Sequence, residues 1–194
     1  DSNIQTLDDL SGHTVSIGAK ESGTERNATQ ILEFAGMPSS LVATKNLDYI
    51  EATKELKAGD IDAFFCTAGL TTTVIDELSK ECDIRLIPLT DTVIGKMLES
   101  SSAYTSEVIP AGTYTGQTTD ISTIGVKSVL ITKSDVSDDT IEQLTSLLFE
   151  KEKELSYSNS LKLELTYDFA TDDIPIPFHN GAKRYYEGCG YSTN

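Results

Sequence analysis

The sequence predicts an α/β protein whose parallel sheet is covered by helices on both faces, and two observations support this prediction. Short β-branched or apolar segments alternate with amphipathic helical segments along the first half of the chain, which is typical of βαβ units. The segment 61–67 is almost wholly apolar, as expected of a strand buried on both faces of a parallel sheet. With 194 residues, the chain can form one large domain or two small lobes.

The individual elements follow from periodicity, capping residues and helix breakers. Leu7 and Leu10 are the expected packing points of a polar segment before the first strand. Asp48 is predicted to cap the second helix and Gly59 to end it. In chain order, we predict strands at 14–17, 41–47, 61–67, 84–89 and 123–132, and helices at 24–36, 48–58, 71–80, 91–99, 135–157 (with Ile141, Leu144 and Leu148 facing inward), 159–172 and 181–187.

The turn between the first strand and the first helix is the leading candidate for a ligand site. It places Ser22, Gly23 and Thr24 at a helix N-terminus, where backbone N–H groups are unpaired and the helix dipole favours an anion. Gly23 would also allow a ligand to approach the backbone closely. Ordinary capping by Ser22 or Thr24, with Glu25 in the first turn, explains the same residues equally well.

A phosphate loop is the obvious alternative for this turn. Gly18 and Gly23 have the spacing of G-x-x-x-x-G, but Thr24 stands where the motif requires lysine. Without the lysine that reaches the terminal phosphates, the match is incomplete. A nucleotide site is therefore not predicted.

Two further loops qualify as ligand-binding segments, since ligands of open α/β sheets bind beyond the carboxyl ends of the strands. One is 68–71, after the third predicted strand. The other is 109–117, which contains proline, two glycines and several hydroxyl side chains. The second loop interrupts the alternation of elements and is expected to be a crossing or hinge, or simply a surface loop.

The composition excludes several classes of function. The formal net charge is −16, which opposes binding to nucleic acid or to an anionic membrane surface. An anionic ligand would need local neutralisation by backbone amides. Cys66, Cys82 and Cys189 fit no zinc or C-x-x-C spacing, and neither His13 nor His179 lies in a metal-binding motif, so no metal, cofactor or disulfide framework is predicted. No apolar run is long enough to span a membrane, and the chain opens without a signal-peptide pattern.

Six motifs, taken together and in order, resemble the TAXI branch of TRAP-transporter solute receptors. They are LSGHTVSIG (10–18), ESGTE (21–25), GDIDAFF (59–65), AGLTT (68–72), IPAGTYTGQ (109–117) and PIPFHNGAKRYY (175–186). The resemblance implies a periplasmic-binding-protein fold of type II, with two lobes and a hinge. It implies a lead-in or hinge segment at 1–12, the second lobe at 13–120 and the C-terminal part of the first lobe at 121–194, with the rest of the first lobe absent from this chain.

The resemblance also implies a function and a set of ligand-facing residues. The protein would be an extracytoplasmic, monomeric receptor, free or lipid-anchored, that captures glutamate, glutamine or a related dicarboxylate in a cleft between its lobes. It would deliver this solute to the permease subunits of a TRAP transporter without cofactor or catalysis. The matching ligand-facing positions are Ser22, Gly23, Thr24, Ala68, Gly69, Thr71, Thr113 and Tyr114. Thr71 and Thr115 stand where the family commonly has proline, which leaves the identity of the solute open.

Two other classes of function remain as alternatives. A hydrolase could use Ser22 or Cys66 as nucleophile with His179 as base, but the chain has no G-x-S-x-G motif, and in the resemblance His179 belongs to a C-terminal packing motif. A sensory domain of the same fold would need a signalling or membrane segment, which this sequence does not contain.

Overall fold

A computed structural model describes residues 2–38, 40–159 and 165–193. The chain forms two compact units, Asp1–Gly125 and Val126–Asn194. The predicted boundary at residues 120 and 121 lies five residues earlier, and the correspondence of these units to receptor lobes stays a prediction. Within the described ranges, no helix is both long enough and apolar enough to cross a bilayer.

The elements of the described residues alternate as predicted from β1 to α3, after which α4 follows α3 without an intervening strand. They are a 3-10 turn at Asp8–Leu10, β1 (Thr14–Ser16), α1 (Gly23–Phe34), β2 (Ala43–Lys45), α2 (Tyr49–Ala58), β3 (Ala63–Phe64), α3 (Thr73–Glu81), α4 (Asp91–Ser100), β4 (Tyr104–Ile109), β5 (Ile121–Val126), α5 (Asp138–Glu150), α6 (Glu152–Asn159), α7 (Tyr167–Thr171) and α8 (Asn180–Gly188).

The first unit contains a parallel sheet of order β2–β1–β3, as far as the described residues show. This confirms the predicted α/β class with helices flanking a parallel sheet. Val15 in the central strand β1 is fully buried. The strand expected at 61–67 is reduced to Ala63–Phe64, and both residues are only half-buried. Since β3 pairs with β1 alone, it lies at an edge of the described sheet and does not need two buried faces.

The second described sheet consists of β4 and β5, and here several strand predictions were wrong. The segment 84–89 is not a strand, although the Leu89 N–H donates to the Ser122 carbonyl oxygen at 2.9 Å. Strand β4 was not predicted. The strand expected at 123–132 starts at Ile121 and ends at Val126, and 127–132 is irregular. Strand formation depends on a partner distant in sequence, which local composition does not reveal.

The segment before β1 is part of the core of the first unit. Leu7 and Leu10 are buried, which confirms them as packing points, and Ile4 is buried with them. The Arg85 guanidinium, distant in sequence, also contacts this segment by donating to the Ile4 carbonyl oxygen at 2.7 Å.

The first two helices begin as their capping residues predicted. Asp48 caps α2 by accepting from the Glu51 N–H at 2.8 Å, and the Glu51 carboxylate accepts from the Asp48 N–H, which completes a capping box. Gly59 ends α2 with φ of 79°, a conformation that favours glycine. The sequence left open whether Ser22 or Thr24 caps α1, and in the structure Ser22 is the N-cap residue.

The second unit is organised around the packing of α5 against α8. The long helix predicted at 135–157 is divided at Lys151 into α5 and α6. Of the three residues expected to face inward, Ile141 is buried, Leu148 is partly buried and Leu144 is 39% exposed. Within the predicted helix 159–172, residues 167–171 are helical, and 160–164 lie outside the described residues.

Aromatic side chains form much of the remaining packing in the second unit. The Tyr167 ring stacks on Phe149 at 4.4 Å and on Tyr191 at 4.8 Å between ring centroids. Tyr185 and Tyr186 pack against Phe149 at 5.7 and 5.9 Å. We call these five residues the aromatic cluster.

Candidate functional site

The predicted site residues all lie in the first unit, on loops that follow β1, β3 and β4 or, for Gly23 and Thr24, in the first turn of α1. Strands β1 and β3 are parallel neighbours, so the loops at their carboxyl ends emerge on the same edge of the sheet. The loop after β1 leads into α1 at Gly23, and the loop after β3 leads into α3 at Thr73. This edge is the candidate functional site.

The protein's own groups occupy part of the N-terminus of α1. The Ser22 hydroxyl accepts from the Glu25 N–H at 3.1 Å. The Glu25 carboxylate turns back to accept from the Glu21 N–H and, at 2.8 Å, from the Asn46 side-chain amide. Ordinary capping is therefore present, and a carboxylate already lies beside the positive end of the helix dipole.

Two backbone donors of this helix end are not used by the cap. Among the described residues, no hydrogen-bond acceptor faces the N–H groups of Gly23 and Thr24. Space is open above Gly23, because a Cβ built there would meet no atom within 4 Å. At Gly18, by contrast, φ is +97° and a Cβ would lie 2.7 Å from the Thr24 Cβ. The turn thus needs glycine at 18 for its own packing, whereas Gly23 leaves room for a ligand.

The Tyr49 side chain connects the first turn of α1 to the loop after β3. Its hydroxyl lies 2.7 Å from the Thr24 Oγ1, donates to the Thr67 carbonyl oxygen at 2.9 Å and accepts from the Thr67 N–H at 3.1 Å. The sequence predicted a helix at 48–58 and did not single out Tyr49. Its position as the first residue after the Asp48 cap was the one signal that its hydroxyl could reach a neighbouring loop.

Tyr114 holds the other end of the loop after β3. Its side chain is buried, and its hydroxyl donates to the Leu70 carbonyl oxygen and accepts from the Thr72 N–H at 3.4 Å. Burial raises the pKa of the Tyr114 phenol, so the hydroxyl stays protonated at neutral pH. The structure therefore brings Tyr114 together with the loop containing Ala68, Gly69 and Thr71, and those three residues are exposed.

Thr113 belongs to a turn that is bonded mainly to itself. Its hydroxyl donates to the Pro110 carbonyl oxygen at 2.7 Å, and the Gln117 side-chain amide donates to the same oxygen at 3.0 Å. The Thr115 N–H donates to the Ser79 hydroxyl of α3 at 3.3 Å. This turn supports Tyr114, and the hydroxyl proton of Thr113 is used within it.

Cys66 lies next to this arrangement and is not activated by it. Burial raises the pKa of the Cys66 thiol to about 11, and the neighbouring Tyr49 side chain opposes only part of this rise. A catalytic cysteine needs a lowered pKa, since the thiolate is the nucleophile. The environment of Cys66 raises the pKa of its thiol instead. His179, the base considered with it, caps α8, where its Nδ1 accepts from the Gly181 N–H at 3.1 Å.

We expect Cys66 to resist alkylation at neutral pH. With a pKa of about 11, roughly one Cys66 in a thousand is a thiolate at pH 8. Its reaction with iodoacetamide should accelerate about tenfold per pH unit up to pH 11, whereas the exposed Cys189 should be labelled first. Peptide mapping by mass spectrometry would measure both rates, with the urea-unfolded chain as control. Equal labelling of the two cysteines at pH 7 in the folded protein would contradict this expectation.

Other features of the described residues do not add to the site. An open groove of about 570 Å³ starts at Ser22 and runs along α1, and beyond the helix N-terminus the carboxylates of Glu25 and Glu33 outnumber Arg26 along it, so this further part of the groove suits an anion poorly. No group of three or more acidic, histidine or cysteine side chains in the described ranges is placed to hold a metal ion.

The chain shows similarity to known proteins at two levels. The model of the NMT1-like family matches residues 1–190. Among solved structures, the chain is similar to the periplasmic aliphatic sulphonate binding protein SsuA from Escherichia coli, with 16% identity and a TM-score of 0.40. That match covers 97% of this chain and 59% of SsuA, so the chain spans about three fifths of the length of that protein.

Proposed function

We propose, since this chain belongs to the NMT1-like family, that it is the ligand-binding part of an extracytoplasmic solute-binding protein. The solute is a small anion, with glutamate, glutamine or a related dicarboxylate as the leading candidates. The partner is a membrane permease of the TRAP type, to which the receptor delivers its solute without chemical change. The motifs shared with TAXI receptors support both the solute class and the transporter.

The observation that best supports this proposal is the pair of unused N–H groups at the start of α1. Gly23 and Thr24 offer two adjacent backbone donors beside open space, and a helix N-terminus favours a carboxylate. The net charge of −16 opposes the binding of an anion to this protein. Backbone N–H groups at a helix N-terminus can offset this repulsion locally. The Thr24 hydroxyl is bonded to Tyr49, so Thr24 would bind through its backbone.

The remaining predicted residues would complete the site from the loop after β3. Ala68 and Gly69 are exposed, and their backbone groups would contact the far side of the solute, with the Thr71 hydroxyl nearby. Tyr114 would act on this loop through its bonds to Leu70 and Thr72. In this arrangement Ser22 caps the helix and Thr113 stabilises the supporting turn.

A thermal-shift panel would test the proposal on this chain and on the complete gene product. The panel contains glutamate, glutamine, 2-oxoglutarate, succinate and ATP. A ligand at about 100 times its dissociation constant adds about 2.7 kcal/mol to the free energy of unfolding. We expect an amino acid or dicarboxylate to stabilise the complete gene product. Stabilisation by ATP alone would instead assign the turn at 18–24 to phosphate and overturn the transport proposal, as would the absence of any shift.

A further inference from the structure

The Tyr49 hydroxyl is the one side-chain group in the described residues that bonds both to α1 near its start and to the backbone of the loop after β3. It lies 2.7 Å from the Thr24 Oγ1 and makes two hydrogen bonds with the Thr67 backbone, at 2.9 and 3.1 Å. Thr24 and Thr67 belong to different chain segments, 43 residues apart. The Tyr49 phenol therefore connects the first turn of α1 to the backbone of this loop, and one turn further along α1 the Asn27 side-chain amide donates to the Thr67 hydroxyl at 3.3 Å.

The directions of these hydrogen bonds follow from the number of protons. A tyrosine hydroxyl has one proton, and Tyr49 donates it to the Thr67 carbonyl oxygen. The Thr24 hydroxyl must then donate to Tyr49. Since the Thr24 side chain is buried and packs over Gly18, this bond fixes the Thr24 rotamer and with it the first turn of α1.

We propose that Tyr49 is a positioning residue for the solute site. It fixes the position of the Gly23 and Thr24 N–H groups relative to the loop at 67–71, so that the helix end and the loop can bind the same solute. This inference rests on the proposed function for its consequence in binding, but the positioning itself does not depend on a ligand. The two parts are therefore tested by separate measurements.

Tyr49→Phe removes the hydroxyl and keeps the ring, and Tyr104→Phe is its matched control. The Tyr104 hydroxyl also donates to α1, to the Asn27 Oδ1 at 2.8 Å. It makes no bond to the loop after β3. Both variants thus lose one tyrosine hydroxyl bonded to the same helix, and only Tyr49→Phe loses the hydrogen bonds to the Thr67 backbone.

Amide hydrogen exchange, followed by NMR without ligand, tests the positioning. The Glu25 N–H donates to Ser22 and the Thr72 N–H donates to Tyr114, so neither amide contacts Tyr49. We expect both amides to exchange at least fivefold faster in Tyr49→Phe. In Tyr104→Phe, the Thr72 amide should exchange as in the wild type.

Calorimetric titration with the carboxylate that gives the largest thermal shift tests the consequence for binding. We expect Tyr49→Phe to weaken binding about tenfold, and Tyr104→Phe to stay within twofold of the wild type. Thr24→Val breaks the same connection from its other end. The double variant Thr24→Val, Tyr49→Phe should therefore bind no more than twofold more weakly than either single variant, because the two changes remove one interaction. Additive losses would instead show that the two hydroxyls affect binding independently of each other.

Each outcome decides one of the two proposals. Unchanged exchange at Glu25 and Thr72 in Tyr49→Phe overturns the positioning role, whatever binding shows. Faster exchange with affinity within twofold of the wild type, or additive losses, overturns its role in binding through the bond to Thr24. If exchange accelerates but the wild type binds no carboxylate of the panel, the proposed function fails and the positioning of the two segments stands.

Discussion

Gly181→Ala should destabilise the second unit by about 3 kcal/mol, because overpacking against backbone cannot relax cheaply. A Cβ at this position would lie 2.2 Å from the Asp138 carbonyl oxygen and 2.9 Å from the Glu142 backbone nitrogen. Both atoms belong to the first turns of α5, so α8 would have to move away from its main packing partner. The close approach of the two helices depends on the absence of a side chain at 181.

Near-ultraviolet circular dichroism during urea unfolding would measure this effect. The chain has no tryptophan, so the aromatic cluster of the second unit contributes much of the signal. Gly188→Ala is the control, since a Cβ at the last residue of α8 would meet no atom within 4 Å. We expect the control to stay within about 0.5 kcal/mol of the wild type. Equal stability of the two variants would show that α5 and α8 are not packed as described.

Gly23→Val should abolish binding of the solute and leave the protein folded. A branched side chain at 23 would fill the open space beside the Gly23 and Thr24 N–H groups, which the proposal reserves for a carboxylate. The backbone tolerates it, because Gly23 is not in the left-handed region and a Cβ there contacts nothing within 4 Å. We expect affinity to fall more than 100-fold while the free energy of unfolding changes by less than about 1 kcal/mol.

Titration calorimetry on the complete gene product, with the carboxylate selected by the thermal-shift panel, would check this result. Gly95→Val is the control. A Cβ at Gly95 also meets open space, and Gly95 lies in α4, away from the predicted site loops. Gly18→Ala provides the opposite comparison. Its φ of +97° and the Thr24 Cβ at 2.7 Å predict a loss of stability first. Wild-type affinity in Gly23→Val would remove this turn from the site.

The sequence predicted those parts of the fold that depend on neighbouring residues. Asp48 and Gly59 mark the limits of α2 because capping and the left-handed turn are local interactions. Strand lengths were not predictable in this way. The apolar segment 61–67 predicts a buried strand, but only Ala63–Phe64 pair with β1. Strand β4, which was not predicted, forms by pairing with β5. Leu144 matched the helical stripe and is nevertheless exposed, since periodicity does not tell how much of a helix face will be covered.

The candidate site shows the same division. The loops that could bind a ligand follow from the parallel topology and from glycine, and the capping role of Ser22 was one of the two readings that the sequence left open. The role of Tyr49 could not be inferred, because a tyrosine on an apolar stripe packs equally well whether or not its hydroxyl reaches Thr24 and Thr67. The roles of Tyr114 and Thr113 in supporting the loop also depend on contacts that only the folded chain creates.

The buried N-terminal segment has a consequence for the order of folding during synthesis. Ile4 and Leu10 share one core with Val93 and Met97, so the ribosome must add more than ninety residues before the first side chain of this core can meet the last. At roughly 5–20 residues per second, this delay is on the order of ten seconds. Until then the earliest apolar residues can pack only against partners from β1 and α1, such as Val15 and Ile31, and lack the partners that α4 contributes. The first unit therefore completes its core only late in its own translation.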